Sequence, residues 1–570
     1  MPYFPTLLLF LPKSFRMPIR MTPDEGYDGQ RPSPPSNRPS GGGGGGLGSL
    51  LPLLLGFLIK RPKLLIVALV LFGLYYFFGG NCGSTSGGGA SDAISQLLTV
   101  RGANFDPALY DQAEVYEPLA DNVKAPLPER VSLEQFAPKR LNQGQQGSCV
   151  AWASAYAART IVQAEAEGDH FQNFQNSTGM DTSEDMIQNS EPHKKRIVFS
   201  PSFLYNQIKL GNDCQGSYIF RAMENMKAGG VLPFSQFGYT DQSCQKQPNA
   251  AERQQALPYR IKGFQRLSYN GDDQRTDMVA MKQQLSQGAP VVIGMMVGGS
   301  FMQDMEGRDL WTPTQNDYRM QGFGGHAMCV IGYDDYKVQG EAEGGAFQIM
   351  NSWGPEWGNN GIAWVRYRDF DHFAKEAYAV YPQGEGVDVK PSEYDIRFGL
   401  AQVDAKGKAT GQHIALKHEQ GRVFRTISPI RKGDRFKIEV TNNAECYTYL
   451  FGLETDGSTY VLFPYTPKHS PYCGITGTRV FPHDQSLTAD EVGNMDVMAI
   501  LVANQPLDYP KINEAMKANG AQGLDAKLAA VLGDELTAAD VPTYTEGETF
   551  GAMVSAQKNT LAIVLQIDKH

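Results

Sequence analysis

Twenty residues starting at Ser148, SCVAWASAYAARTIVQAEAE, are rich in alanine and hold neither glycine nor proline, which fits a helix far better than a strand or loop. Ser148 stands where a hydroxyl can cap the orphan backbone N–H groups of a helix start. From His326 the pattern turns to strand, in HAMCVIGYDD and then FQIMNSWG, with turn-rich EAEGG between them. Beyond about 396 the chain alternates in the strand manner, as in RFKIEVTNN, CYTYLFGLETDGSTYVLFP and TLAIVLQI, and Asp456-Gly457 is a hairpin cue between two such runs. Helical patches near 512–519 and 526–532 interrupt these strands. The expected class is α+β: a mixed domain over 131–382, a short linker over 383–395, and a β-sandwich-like accessory domain with a small helical insertion over 396–570.

The first ninety residues are different. Of the 61 glycines and 34 prolines, many crowd there, and residues 22–46 read TPDEGYDGQRPSPPSNRPSGGGGGG, too poor in apolar surface to offset the entropy of ordering. A disordered tail is expected over 1–46, with Met17 or Met21 as alternative starts. Leu64 to Phe78 is an unbroken apolar and aromatic run, extended by Gly79 and Gly80 to about the lower limit for a bilayer crossing. It points to a membrane anchor over 47–80 containing a transmembrane helix at about 63–80, followed by a linker over 81–130. Lys60, Arg61 and Lys63 precede the run and no Lys or Arg follows until Arg101. By the positive-inside rule the N-terminus is expected in the cytoplasm and the bulk of the chain outside it, periplasmic or extracellular, in a single-pass cell-membrane protein. A competing reading is a cleaved signal with Cys82 lipidated in GGNC. A net charge of -10 argues against nucleic acid as a partner, since phosphate binding requires a basic surface.

Seven cysteines, at 82, 149, 214, 244, 329, 446 and 473, lack any zinc-like CxxC spacing. Cys214 with Cys244, and Cys446 with Cys473, are separated suitably for disulfides. Cys149 is singled out by its place at a helix start, where unpaired N–H groups and the helix dipole favour a thiolate. A thiolate nucleophile needs a histidine partner, and its tetrahedral intermediate needs two donors aimed at the oxyanion. The Cys149 N–H and the side chain of Gln143 are candidates. Cys329, on a strand pattern three residues after His326, reads as a small packed hydrophobe.

QGQQGSCVAW at 143–152 resembles the active-site segment of the papain family, GGHAMCVIGYDD at 324–335 resembles its histidine strand, and NSWGPEWGNNGIAWV at 351–365 is close to its asparagine segment. The resemblance covers roughly 131–382 and implies a two-lobe fold, one lobe helical and one β-barrel-like. It also implies a cysteine peptidase in which Cys149 attacks the peptide carbonyl, His326 exchanges protons, Asn351 holds the imidazole and Gln143 donates to the oxyanion. Trp353 would shield the Asn351 to His326 bond, and Gly216, Ser217, Gly325 and Trp353 would line the substrate slot. No cofactor or metal is implied; a peptide or protein is the implied substrate.

Several departures stand out. Gln146 replaces the family's cysteine three residues before the nucleophile, Val150 replaces the usual aromatic after it, and CQGS at 214–217 puts Ser217 where the family's substrate clamp has glycine. His326 and Asn351 follow Cys149 by 177 and 202 residues, farther than the family's usual roughly 130 to 150. Polar residues over about 168–195 read as an insertion near the cleft. The C-terminal part resembles an uncharacterised β-domain appended to bacterial peptidases, through GDRFKIEVTNN, ETDGSTYVLFP and MDVMAILVANQPL. That likeness implies a bacterial origin and a cell-envelope protein as a partner of the accessory domain. Two alternatives keep the scaffold: a non-catalytic binder, and a transpeptidase or deamidase using the same thioester.

Overall fold

The computed structural model describes residues 20–24, 102–120, 126–168, 197–269, 275–341, 344–381, 393–555 and 560–570. The alanine-rich run is helical from Cys149 to Glu167, through Cys149–Ala151, a π-helical stretch Trp152–Arg159, and Thr160–Glu167. Gly168 stops it in the left-handed conformation, with φ +67°, a stop that glycine adopts without a Cβ penalty. Every residue of Trp152–Arg159 is buried, and the small alanines let this central helix pass close to its neighbours, among them helices Pro201–Ile208 and Ile219–Gly229.

Against the helices lies a sheet that the described residues build in the order Phe264–Arg266, Ala374–Val380, Val291–Val297, Gly324–Asp334, Ala346–Met350, Ile362–Arg366 and Leu310–Trp311, with Arg130–Ser132 pairing on Gly324–Asp334. The strand Gly324–Asp334 has sheet on both sides and sets His326 opposite Met295. Helices and sheet share one core, which contains Cys149, Trp152 and Ile161 from the helix and Ile293, Met328 and Ile349 from the sheet.

The C-terminal part is two further sheets. One runs Arg20–Pro23, Gln485–Thr488, Arg435–Asn442, Glu393–Val403, Phe550–Ser555, Thr543–Thr545; the other runs Leu416–Gln420, Val423–Thr426, Thr560–Asp568, Met495–Ala503, Cys446–Leu453, Thr459–Phe463. Their apolar faces enclose a core that includes Phe398, Phe436, Ile438, Leu450, Ile500 and Ile563. The helices Tyr509–Ala518 and Leu524–Leu532 cover the outer face of the second sheet through Met516, Leu524 and Leu528. Gly457, at φ +84°, makes the expected hairpin turn between Cys446–Leu453 and Thr459–Phe463.

Residues 20–24 lie within the segment whose composition suggests a disordered tail, yet they add an edge strand to the first sheet of the sandwich. Buried Lys437 explains the attachment. Its ammonium needs a counter-charge, and Asp24 supplies one at 2.7 Å while also accepting from Ser486. The expected linker likewise contains built structure. Residues 102–120 form a strap between the first domain and the sandwich, with Tyr110, Val115, Tyr116 and Leu119 buried, each side chain worth roughly 1.5–3 kcal/mol when removed from water.

The single-pass membrane reading is corrected: among the described residues no helix is long and apolar enough to cross a membrane. The run at 63–80, Cys82 and most of the insertion expected over 168–195 lie outside the described residues. Cys214 and Cys244 are bonded. Cys446 and Cys473 face each other in register across adjacent strands but remain free thiols; they hydrogen-bond within a buried cluster that includes Thr448.

Candidate active site

Cys149 stands at the first turn of the central helix, completely buried. Ser148 precedes it but does not cap the helix through its side chain. Its hydroxyl is paired instead with that of Tyr239 at 2.7 Å, and the Tyr239 hydroxyl also donates to the Gln143 carbonyl at 2.6 Å. Tyr239 packs edge-on against Trp152. It therefore ties the loop before the cysteine to the helix after it, a role the sequence does not signal, because the residue lies about ninety positions downstream.

The histidine strand approaches the sulfur directly. The backbone N–H of Ala327, next to His326, donates to Cys149 Sγ at 3.4 Å. Burial pushes the Cys149 thiol up to about 11, opposed by the backbone amides of Ala327 and Gly102. In this closed arrangement burial disfavours the thiolate. Cys329 is also pushed up by burial and sits in the core.

His326 Nε2 lies 2.7 Å from Asn351 Oδ1. The Asn351 amide orientation is fixed independently, because the backbone N–H of Ser352 contacts the same atom at 2.8 Å and an N–H requires an acceptor. That atom is therefore oxygen, so His326 Nε2 carries the hydrogen and Nδ1 carries the lone pair. Trp353 stacks on the imidazole, with ring centroids 4.4 Å apart and planes 28° apart, and is braced by Phe301 and Trp357. Gln143 is buried beside them: its amide nitrogen donates to the Gln146 carbonyl at 2.9 Å and its oxygen accepts from the Ser352 hydroxyl at 2.6 Å. Gln143, Cys149, His326, Asn351 and Trp353 thus meet where helix and sheet meet, although they are scattered over 211 positions. His326, Asn351 and Trp353 are linked by the Nε2–Oδ1 hydrogen bond and the ring stack, and Gln143 joins them through Ser352.

Gly216, Ser217 and Gly325 line a slot that the chain itself occupies. The Ser217 N–H donates to the Gly102 carbonyl at 2.8 Å, Asn104 N–H to the Ser217 carbonyl at 3.0 Å, and Ala103 N–H to the Gly325 carbonyl at 3.2 Å. A Cβ on Gly325 would stand 2.1 Å from the Ala103 oxygen, and one on Gly102 would stand 2.1 Å from the Gly147 oxygen. Only residues without side chains permit so close a passage. Phe105 packs over Gly294 and Ile219. Glu376, register partner of Gly294, has its carboxyl pushed up to about 8 by burial. Trp353, by contrast, belongs to the histidine side rather than to this slot. The occupying segment escapes sequence reasoning because it binds through its backbone. Among the described residues no group of three or more His, Cys, Asp or Glu is placed to hold a metal ion.

Residues 134–383 match the model of the papain family cysteine protease, and residues 430–505 match a domain of unknown function, DUF4384. An uncharacterized peptidase C1-like protein of Acanthamoeba polyphaga mimivirus is 26% identical over 239 residues, 42% of this chain and 67% of the relative. A cysteine protease of Blomia tropicalis is 24% identical over 267 residues, 46% of this chain and 68% of the relative. Among solved structures, xylellain, a cysteine protease from Xylella fastidiosa, is 22% identical and aligns over 50% of this chain and 96% of its own with a TM-score of 0.38.

Proposed function

With residues 134–383 a papain-family cysteine protease domain, we propose that Cys149 is its nucleophile, His326 its general base and acid, Asn351 the residue that orients the imidazole, and Gln143 an oxyanion donor. The observation that carries this reading is the doubly fixed Asn351 oxygen, which assigns the hydrogen of His326 to Nε2 and leaves Nδ1 basic.

In the proposed reaction Nδ1 takes the Cys149 proton as Sγ bonds to the peptide carbonyl carbon, and the new oxyanion is met by the Cys149 N–H and the Gln143 amide. The C–N bond then breaks, His326 protonates the departing amine, and a thioester remains. Water attacks that thioester with His326 again accepting a proton, the acid product leaves, and the thiol is restored. Ser217 and Gly325 pair with the backbone of a peptide or protein substrate as they pair with residues 102–104 here, and Gly216, whose own backbone bonds go to Tyr205 and Leu210, leaves room for it. Trp353 keeps water from the Nε2 bond.

The test is hydrolysis of an unfolded protein, with products identified by mass, in parent chains and in Cys149→Ala and His326→Ala versions. Loss of cleavage in both supports the assignment; cleavage undiminished in Cys149→Ala overturns it. A binding scaffold is favoured by one observation, the complete burial of the Cys149 thiol beneath the chain's own segment. It predicts no cleavage even after that segment is freed. Products joined to an added amine rather than to water would indicate transpeptidation by the same thioester.

A further inference from the structure

We propose that the C-terminal β-sandwich is an intramolecular latch that holds the strap of residues 102–120 across the Cys149 cleft. The inference rests on the reading of that cleft as the substrate cleft and assigns the sandwich a regulatory role over it.

The strap has two ends with different partners. Its first residues, 102–105, touch the cleft through three backbone hydrogen bonds and the Phe105 ring. The short helix Pro107–Tyr110, capped by Asp106, then turns the chain away, with Tyr110 exchanging bonds with the backbone of Ala377. After a turn at residues 111–113, the strap runs extended from Glu114 between the two domains. Val115 shows this best, for it bridges in parallel both to Arg266 of the first domain and to His469 of the sandwich.

An inserted strand has two rows of backbone donors and acceptors, and both need partners once buried. The first domain satisfies one row: Arg266 N–H donates to the Glu114 carbonyl at 2.9 Å and Tyr116 N–H to the Arg266 carbonyl at 3.1 Å. The sandwich satisfies the other. Val115 N–H donates to the Lys468 carbonyl at 2.7 Å, Ser470 N–H to the Val115 carbonyl at 3.0 Å, and Ala120 N–H to the Thr478 carbonyl at 2.7 Å. Side chains extend the same grip: the Ser470 hydroxyl donates to Glu114 at 2.6 Å, Tyr465 to Glu117 at 3.0 Å, Arg479 to the Glu117 carbonyl at 3.1 Å, and Lys468 pairs with Asp111.

Without the sandwich, the strap would keep one row of partners and expose the other. Its N-terminal end, with only a few main-chain bonds in the cleft, would then open more often, because local opening follows the number of buried contacts and bonds that must break. The latch thus links any event that loosens the sandwich from residues 111–120 to access at Cys149.

Hydrogen exchange and alkylation of the full chain test this. Lys468→Glu places a negative charge beside Asp111 on a side chain more than half exposed, so the fold tolerates it. A triple variant adding Ser470→Ala and Tyr465→Phe removes two further bonds without touching the cleft. Amide exchange over residues 102–110 and the rate at which iodoacetamide labels Cys149 are compared with the parent, each read by mass spectrometry. The expected result is exchange and labelling faster by at least about tenfold in the triple variant, with a smaller rise in Lys468→Glu. Folded variants in which residues 102–110 stay as protected as in the parent overturn the latch. If exchange rises and Cys149 is labelled but no substrate is cut, the latch stands and the nucleophile assignment fails.

Discussion

Replacing Gly102 by alanine is the smallest change that opens the cleft while leaving Cys149, His326, Asn351 and Gln143 untouched. The new Cβ would lie 2.1 Å from the Gly147 oxygen, against roughly 3.3 Å for the closest comfortable carbon to oxygen approach. Backbone faces backbone there, so residues 102–104 must move by about 1 Å. The three hydrogen bonds in the slot, now 2.8, 3.0 and 3.2 Å long, then exceed bonding distance. At about 1 kcal/mol each, their loss amounts to about 3 kcal/mol, which is on the order of a hundredfold in the ratio of open to closed strap. A buried thiol is modified through the open population, so the iodoacetamide rate at Cys149 should rise by a similar factor. Labelling in folded Gly102→Ala within about twofold of the parent would refute the reasoning, because it would mean that the strap does not control access.

Once the cleft is open, Asn351→Ala removes the acceptor for His326 Nε2 while the Trp353 stack remains; kcat/KM on a peptide should fall by roughly ten- to a hundredfold, the value of one buried hydrogen bond to a group that becomes charged. Closure should also depend on pH. Burial raises both Glu117, inside the latch, and Glu376, beside Asp106 of the strap, to about 8, so the closed strap favours their neutral forms. That contribution is complete below about 4.5, the free carboxyl value, and is lost as pH rises through about 8. His469 acts oppositely, since burial and then the nearby Arg266 hold it down at about 4: its contribution is present above about 6.5 and fades as pH falls. Two carboxyls outweigh one imidazole, and exchange of residues 102–110, corrected for its intrinsic pH dependence, should accelerate as pH rises from about 6.5 to 8 and level off above that.

Residues with distinctive side-chain contexts were legible in the sequence, and those that act only through their backbone were not. In the proposed mechanism Cys149, His326 and Asn351 have to be those residue types, so their short contexts stand out as recognisable strings, and the helix at 149–167 follows from its alanine content. Gly102 and Ala103 hold the cleft with N–H and C=O groups that any residue carries, and a linker composition conceals them. Ser148 has the right type for a cap, but a long-range partner, Tyr239, takes its hydroxyl. Spacing alone suggested a Cys446 to Cys473 bond, yet the strands bring the thiols face to face without joining them. The strand at 20–23 is too short for any periodicity to appear, and it is secured by the charge of Lys437 far along the chain.

In the proposed mechanism His326 activates the sulfur of Cys149. The most direct measurement is the pH dependence of Cys149 alkylation in Gly102→Ala, with and without His326→Ala. The expected profile shows a reactive thiolate forming well below the ordinary cysteine range of about 8.5, and that early step vanishing when the imidazole is removed. A single rise near or above the ordinary value, identical in both chains, would contradict it.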